Sequence, residues 1–545
     1  MQSHFAEAEQ IQDLLNRGQA EQALQSVKLL LAQMPDSLAV RSVCAGILID
    51  CGTALGNLEA VNLGISFIED ILESVSGLSG ESLVNLHYNV SNGYATQASL
   101  YQNTGDTEAA TKAFQKQKYY LQSALLSKEE IDSNLLPNII TNYANLLDRL
   151  GRTVEAIDHY YDCLAIAPKH PVAMGNCSYS LRRVFNIYTK YNPKLLYEAW
   201  RLLSEACQLQ IEVVELAGTH VLSYYSRNLE ELEQAISTIH PDGVEGLENW
   251  ITEFDEVHTF WKPSALLKQI QADRLLLTIN PIPSNCPSEY KDDIFFESMV
   301  VPLDDDGNRW FQSLCHSFNN IKEDFATARH LYYQSKSQDR DIIEVSSITS
   351  YMDTLDYADF GLRSGFLKSS LRLSADLLDK CAVFLNLYLE LGHPEDQVSF
   401  GNFWYNKRKY DKGYLPEIKD RLLSNQFLAA LYDLQRDLFE GRYPFPFKYL
   451  RNEATHKRLV LSWYGSLDEE IKSYSLSNFQ EITHSLLRVV KAAIIYVVGT
   501  VMLEEKDREL TRQTIGSEHL VAPSGLPFRI SVGLSDQVDQ SGDIS

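Results

Sequence analysis

The sequence predicts an all-α chain, with an N-terminal solenoid of helix pairs followed by a C-terminal four-helix bundle. Three observations lead there. Leu, Ala, Glu, Gln and Tyr recur at helical spacing while alternating Val, Ile and Thr are scarce. The N-terminal third carries a degenerate helix–turn–helix repeat. The C-terminal third holds four long amphipathic segments, with Gly392, Gly441 and Gly465 closing helices and Pro444 and Pro446 marking the start of the third segment. At 545 residues, 45% apolar and 22% charged, the chain is long enough for several domains with sizeable cores.

The clearest repeat copy is NIITNYANLLDRLGRTVEAIDHYYDCLAIAPKHP, residues 138–171. Gly151 ends its first helix, Ala156 allows close packing of the second and Pro168 stops it, and with Tyr160 they form a small-residue, aromatic and proline pattern. Gly105, Ala110 and Phe114 repeat the offsets in a second copy, and Gly18, Ala23 and Pro35 in a third. This pattern resembles the tetratricopeptide family, which implies a stack of helix pairs whose concave face takes a protein or peptide partner. Periodicity through 193–218 extends the array over residues 1–240. Residues 241–350, rich in Pro, Gly, Asn and Asp, read as a loop-rich connector with helices, one of them at 310–335. The bundle occupies 351–512, with helical segments at 360–392, 424–441, 447–464 and 477–510, and 513–545 reads as a flexible tail.

A net charge of −25 argues against nucleic-acid binding over the whole surface, yet leaves room for a local basic site. Residues 401–460 carry 12 Lys and Arg against 7 Asp and Glu, a net of +5. The eight cysteines have no CxxC or framework spacing and read as reduced thiols of a cytoplasmic protein. The most apolar run, AAIIYVVGTVML at 492–503, is too short to span a bilayer and reads as a core helix, so no membrane association is expected. No phosphate loop, HExxH, nucleophile elbow or other metal or cofactor motif is present.

Within the basic window, KYLRNEATHKRLVL places Arg451, Asn452 and His456 on one predicted helix. Asn452 and His456 are four apart and share a face, while Arg451 lies about 140° round from His456. An imidazole can move the proton of a 2′-hydroxyl, and a guanidinium can stabilise the charge of a phosphorane. Spacing alone is a weak signal, since Arg152 with His159 and Arg512 with His519 match it too. In its context the motif resembles that of the HEPN superfamily (higher eukaryote and prokaryote nucleotide-binding). RNase members of that superfamily carry Arg-x(4–6)-His near the start of the third helix of a four-helix bundle. The stretches NNIKEDFATARHLYY, LSADLLDKCAVFLNLYLELG and YLRNEATHKRL are similar, in order, to a prokaryotic subfamily fused to tetratricopeptide repeats.

The resemblance implies a metal-independent endoribonuclease without cofactor, with Arg451, Asn452 and His456 catalytic, leaving a 2′,3′-cyclic phosphate. It further implies an RNA substrate, a homodimer through the C-terminal bundle, and a role in prokaryotic defence or a toxin–antitoxin pair in which the repeats sense a partner. The alternative is a non-catalytic scaffold of tetratricopeptide and HEPN parts binding nucleotide, RNA or protein. Lys448, Lys457 and Arg458 are candidate phosphate contacts or plain solvated charges. Lys407, Arg408 and Lys409, beside Tyr410 and Tyr414, form either a single-strand-binding loop or an ordinary exposed one.

Overall fold

The computed structural model describes residues 2–33, 37–74, 80–127, 131–187, 193–256, 262–278, 280, 290–296, 298–301, 305–440, 445–456, 459–464, 473–515 and 520–523. Twenty-one α-helices and four short strands lie among the described residues, so the chain is all-α as expected. Contacts divide it into two units. Unit 1 holds Met1–Arg182, Lys194–Ile251 and Tyr432–Arg458; unit 2 holds Arg183–Pro193, Thr252–Leu431 and Leu459–Ser545.

Unit 1 begins with four helix pairs: α1 (Gln2–Asn16) with α2 (Ala20–Gln33), α3 (Leu38–Leu55) with α4 (Leu58–Ser74), α5 (Gly80–Thr104) with α6 (Thr107–Leu126), and α7 (Leu136–Arg149) with α8 (Thr153–Ile166). Each helix packs on the next. Every pair turns on a glycine in the left-handed region, at Gly18 (φ 77°), Gly56 (62°), Gly105 (79°) and Gly151 (83°). The backbone hydrogen bonds of the four turns coincide. The residue after the glycine donates to the carbonyl four before it, from Gln19 to Leu14, Asn57 to Gly52, Asp106 to Tyr101 and Arg152 to Leu147, at 2.8–3.0 Å. This satisfies orphan carbonyls at each helix end in a geometry that glycine adopts without strain. Pro35 lies outside the described residues.

The α3–α4 pair escapes the sequence pattern because its small residue sits on the other helix. Ala23, Ala110 and Ala156 each follow their glycine by five, and Leu14, Tyr101 and Leu147 each precede it by four. In the α3–α4 pair those positions are Val61 and Gly52. A Cβ on Gly52 would stand 2.5 Å from Val61 Cγ2 and 2.9 Å from its backbone nitrogen, so the glycine supplies the room that alanine supplies elsewhere. The array continues through α9 (Pro171–Ile187), α10 (Pro193–Gln208), α11 (Gln210–Ala217), α12 (Thr219–Ile239) and α13 (Gly243–Glu256). His170 caps α9: its Nδ1 accepts the Ala173 amide at 3.1 Å while Nε2 meets Asn138 Oδ1 at 3.0 Å.

In unit 2, α14 (Ala265–Ala272) precedes α15 (Asp305–Lys336), α16 (Arg340–Ser347), α17 (Leu362–Tyr388), α18 (Pro416–Ser424), the part of α19 (Gln426–Phe439) up to Leu431, and α21 (Leu476–Ile515). Helix α15 starts on Asp305 and Asp306, which favour the positive helix end. The sequence division left α15 in the connector, but Leu314, Phe318, Ile321, Phe325, Ala328 and Tyr332 form a buried four–three stripe, and α15 packs along α17. Ser370 Oγ donates to the Ala328 carbonyl at 2.7 Å, so small residues let the two helices approach. Helix α21 packs on both and is buried all round from Ala492 to Val498, and its 18-residue apolar window is 83% buried. A second helix, Leu38–Leu55, is also long and apolar enough to cross a membrane by length and composition. The first residues of α19 pack on α21, with Asn425 Nδ2 donating to the Thr500 carbonyl and Phe427 filling the space above Gly499.

Two expectations change. The segment at 447–464 is not one helix: α20 (Phe447–His456) ends, and Val460–Ser462 forms strand β2, parallel to β3 (Ser473–Ser475). Leu459, Val460 and Leu461 are consecutive buried residues, a run that suits a strand covered on both faces. In the stretch expected as a tail, α21 continues to Ile515 and Leu520–Pro523 forms β4, antiparallel to β1 (Ser298–Val301); residues 516–519 and 524–545 lie outside the described residues.

Two outcomes are expected. Gly52→Ala destabilises the protein by about 1–3 kcal/mol through overpacking, and adding Val61→Ala recovers part of the loss in denaturant melts. Burial holds the His170 pKa below its ordinary 6.5, and only the neutral ring can accept the Ala173 amide. Its contribution is therefore complete above pH 6.5 and is lost as pH falls through the lower folded value. His170→Asn keeps a cap acceptor, and melting curves against pH should lose that part of their acid dependence.

Candidate functional site

Helix α20 is short and its faces are well separated. Pro446 precedes it, its carbonyl accepting the Leu450 amide at 2.9 Å, and its first residue, Phe447, sets its ring edge-on to Phe439 at 5.5 Å. Phe447, Leu450 and Glu453 are buried at three-residue intervals and form the inner stripe. Lys448 and Asn452 are exposed on the opposite face. Arg451, 100° from Leu450 around the axis, is half-buried on the flank and already engaged by neighbouring groups. His456 is the last residue of α20, and its backbone position follows Asn452 by one turn; its side chain lies outside the described residues, as do Lys457 and Arg458.

The helix is anchored through the C-terminal half of α19, which belongs to unit 1 with the repeats. Lys118 and Arg152, from α6 and the α7–α8 turn, have no exposed surface. Lys118 Nζ donates to both Asp433 carboxylate oxygens at 2.7 Å and approaches Asp437 Oδ1 at 2.7 Å, outside hydrogen-bond geometry. Arg152 divides its guanidinium: Nε and one terminal nitrogen hold Glu155 at 2.8 and 2.6 Å, and the other meets Asp433 at 3.1 Å and also Asp437. Two cations thus face three carboxylates. Burial would raise Asp433, but Lys118 and then Arg152 outweigh it and hold the group below the usual carboxylate range. Burial pushes Asp437, the more enclosed of the two, upward. The cluster leaves one trace in the sequence, a pair of aspartates four apart on the apolar face of α19.

The cluster also disposes of one competing match to the motif. Arg152 is consumed by buried carboxylates, and His159 pairs with Asp162 at 3.5 Å and sets its ring edge-on to Tyr143. In the other match, the side chain of Arg512 and all of His519 lie outside the described residues.

Lys407, Arg408 and Lys409 fall in unit 2, so the structure does not gather them with α20 in one unit. Their loop is closed by an antiparallel bridge between Tyr405 and Tyr414, with the Asn406 amide donating to the Gly413 carbonyl at 2.9 Å. Lys407 and Arg408 adopt φ of 50° and 56°, a left-handed conformation that side chains disfavour. Lys407, Lys409 and Tyr410 are exposed at its tip, while Tyr405 packs between Tyr410 and Tyr414.

A groove of about 550 Å³ lies in the repeats, with a mixed lining that includes Thr53, Leu100, Gln117, Asn142, Leu146 and Arg149. Among the described residues no group of three His, Cys, Asp or Glu is arranged to hold a metal ion. Burial pushes the Cys44 and Cys51 thiols up to about 11 and Cys381 to about 12, which leaves them protonated at neutral pH. Cys286 lies outside the described residues.

A family model described as LA2681-like HEPN matches residues 308–504, a span that runs from α15 into α21 and includes α20. The chain therefore carries a HEPN domain, and its C-terminal region is a HEPN fold. No curated protein matches the chain.

If the outer face of α20 is free of structural duty, Asn452→Ala and Lys448→Ala shift stability by less than about 0.5 kcal/mol. Leu450→Ala, on the inner stripe, costs about 2–5 kcal/mol. Chemical denaturation of the three variants measures the contrast.

Proposed function

We propose that the chain is a HEPN endoribonuclease in which Arg451, Asn452 and His456 act on RNA. The observation that carries this reading is the run Arg451–Asn452 followed by His456 on α20, inside the matched HEPN span, with the Asn452 and Lys448 face exposed. In this reading His456 takes the proton of a 2′-hydroxyl and the 2′-oxygen attacks the adjacent phosphorus. The 5′-oxygen leaves with a proton, and a 2′,3′-cyclic phosphate remains. Arg451 stabilises the charge on the phosphorane oxygens, and Asn452 donates to the same group. Lys448, and the basic loop at 407–409, contact backbone phosphate. Two chains pair through the C-terminal domain, so that a second motif supplies the proton for the 5′-oxygen.

The repeats serve as the regulatory part, with the groove taking a polypeptide partner. Its asparagines are pre-oriented: Asn142 Nδ2 donates to Tyr88 and Asn92, and Asn145 Oδ1 accepts from Tyr160 and Asn176. An activity held in check by such a partner suits a defence effector or a toxin in the cytoplasm. A second reading, a scaffold that binds nucleotide or RNA without cutting, draws on the half-buried, engaged state of Arg451.

Incubating the protein with RNA in EDTA, beside an Arg451→Ala/His456→Ala variant, tests the first reading. Wild type should cut and leave cyclic phosphate ends, with the variant slower by about 10²-fold or more. Equal cleavage by both sinks it, and RNA retention without cleavage by either supports the scaffold.

A further inference from the structure

The buried cations of the repeats and the motif helix are joined by a short chain of contacts within unit 1. Lys118 and Arg152 hold Asp433 and Asp437, one turn apart on α19. Two residues after Asp437 comes Phe439, whose ring meets Phe447, the first residue of α20. Leu450 and Glu453 then fix the inner stripe of α20, and Arg451 follows as its flank. Apolar side chains could fill the same space without removing charges from water, and in other buried clusters such replacements are neutral or favourable. Ion pairs differ in fixing register: the ammonium and guanidinium accept carboxylates in one arrangement, and a slip of α19 by one residue would turn both aspartates away by 100°.

We propose that Lys118 and Arg152 are positioning residues, through which the repeat array sets the place of the motif helix α20. The cluster also adjoins the repeat groove in sequence. Gln117, which lines the groove, precedes Lys118, and Arg149, which also lines it, precedes Arg152 by three residues across the Gly151 turn. The inference rests on the ribonuclease reading only for its catalytic consequence.

Amide hydrogen exchange of the full chain, with Lys118→Met and Asp437→Asn compared to wild type, tests it. Peptides covering 447–456 should exchange at least tenfold faster in both variants, while those covering α3 and α4 keep wild-type rates. On RNA, kcat should fall at least tenfold with KM unchanged, a split that uniform loosening or lost substrate binding would not give. Unchanged exchange at 447–456 in either folded variant overturns the inference, as does an equal rise in α3 and α4. If Lys118→Met does not fold, Asp437→Asn alone decides. If wild type cuts no RNA, the ribonuclease reading fails and the exchange result still judges the positioning role.

Discussion

Removing an ammonium and a guanidinium from water costs several kcal/mol each even after relaxation. Lys118 and Arg152, neither with exposed surface, are therefore tolerable only where carboxylates are delivered in fixed geometry. Glu155 comes from the same helix pair as Arg152, but Asp433 and Asp437 arrive from more than 280 residues away in sequence. Losing one partner would leave a buried charge uncompensated, at about 3–5 kcal/mol. That constraint ties the C-terminal half of α19 to the repeats, and α20 follows because its first ring packs on the last residue of α19.

The repeats can supply such a site because their turns are uniform. Four left-handed glycines with matching hydrogen bonds keep the helix pairs in register. The α7–α8 turn puts Arg152 directly after Gly151, at the cap of α8, where its side chain reaches Glu155 within one helical turn. In unit 2 the constraint is apolar. The α15–α17–α21 core depends on small residues at close approaches, among them Ser370 and Gly499, and on a helix buried around its circumference.

These arrangements give the motif helix its character. Its inner stripe is committed to packing, so changes there act through the fold. Its outer face carries Lys448 and Asn452, both exposed. Arg451 stands between the two faces, half-buried and engaged by neighbouring groups. The basic loop at 407–409 holds two residues in a disfavoured backbone conformation, an arrangement that its tyrosine bridge maintains.

Helical class, the turn glycines and the HEPN span were legible in the sequence, because helical period and left-handed glycine are local properties. The α3–α4 pair was not: exchanging alanine at one position for glycine on the facing helix preserves the packing but erases the pattern. The motif spacing was visible too, although it could not separate Arg451 from Arg152, since spacing carries no information about burial. The stretch after His456 read as helix by its apolar spacing and became a strand because β3 and the Ala358 bridge offered its backbone partners. By itself the sequence determined the helical class, three of the four repeat turns and which residues could do chemistry. Tertiary structure alone decided that Arg152 is a buried anchor and that Asp433 and Asp437 meet it together with Lys118. Each of those outcomes depends on charges or apolar faces brought together from distant parts of the chain, and no local pattern encodes such a meeting.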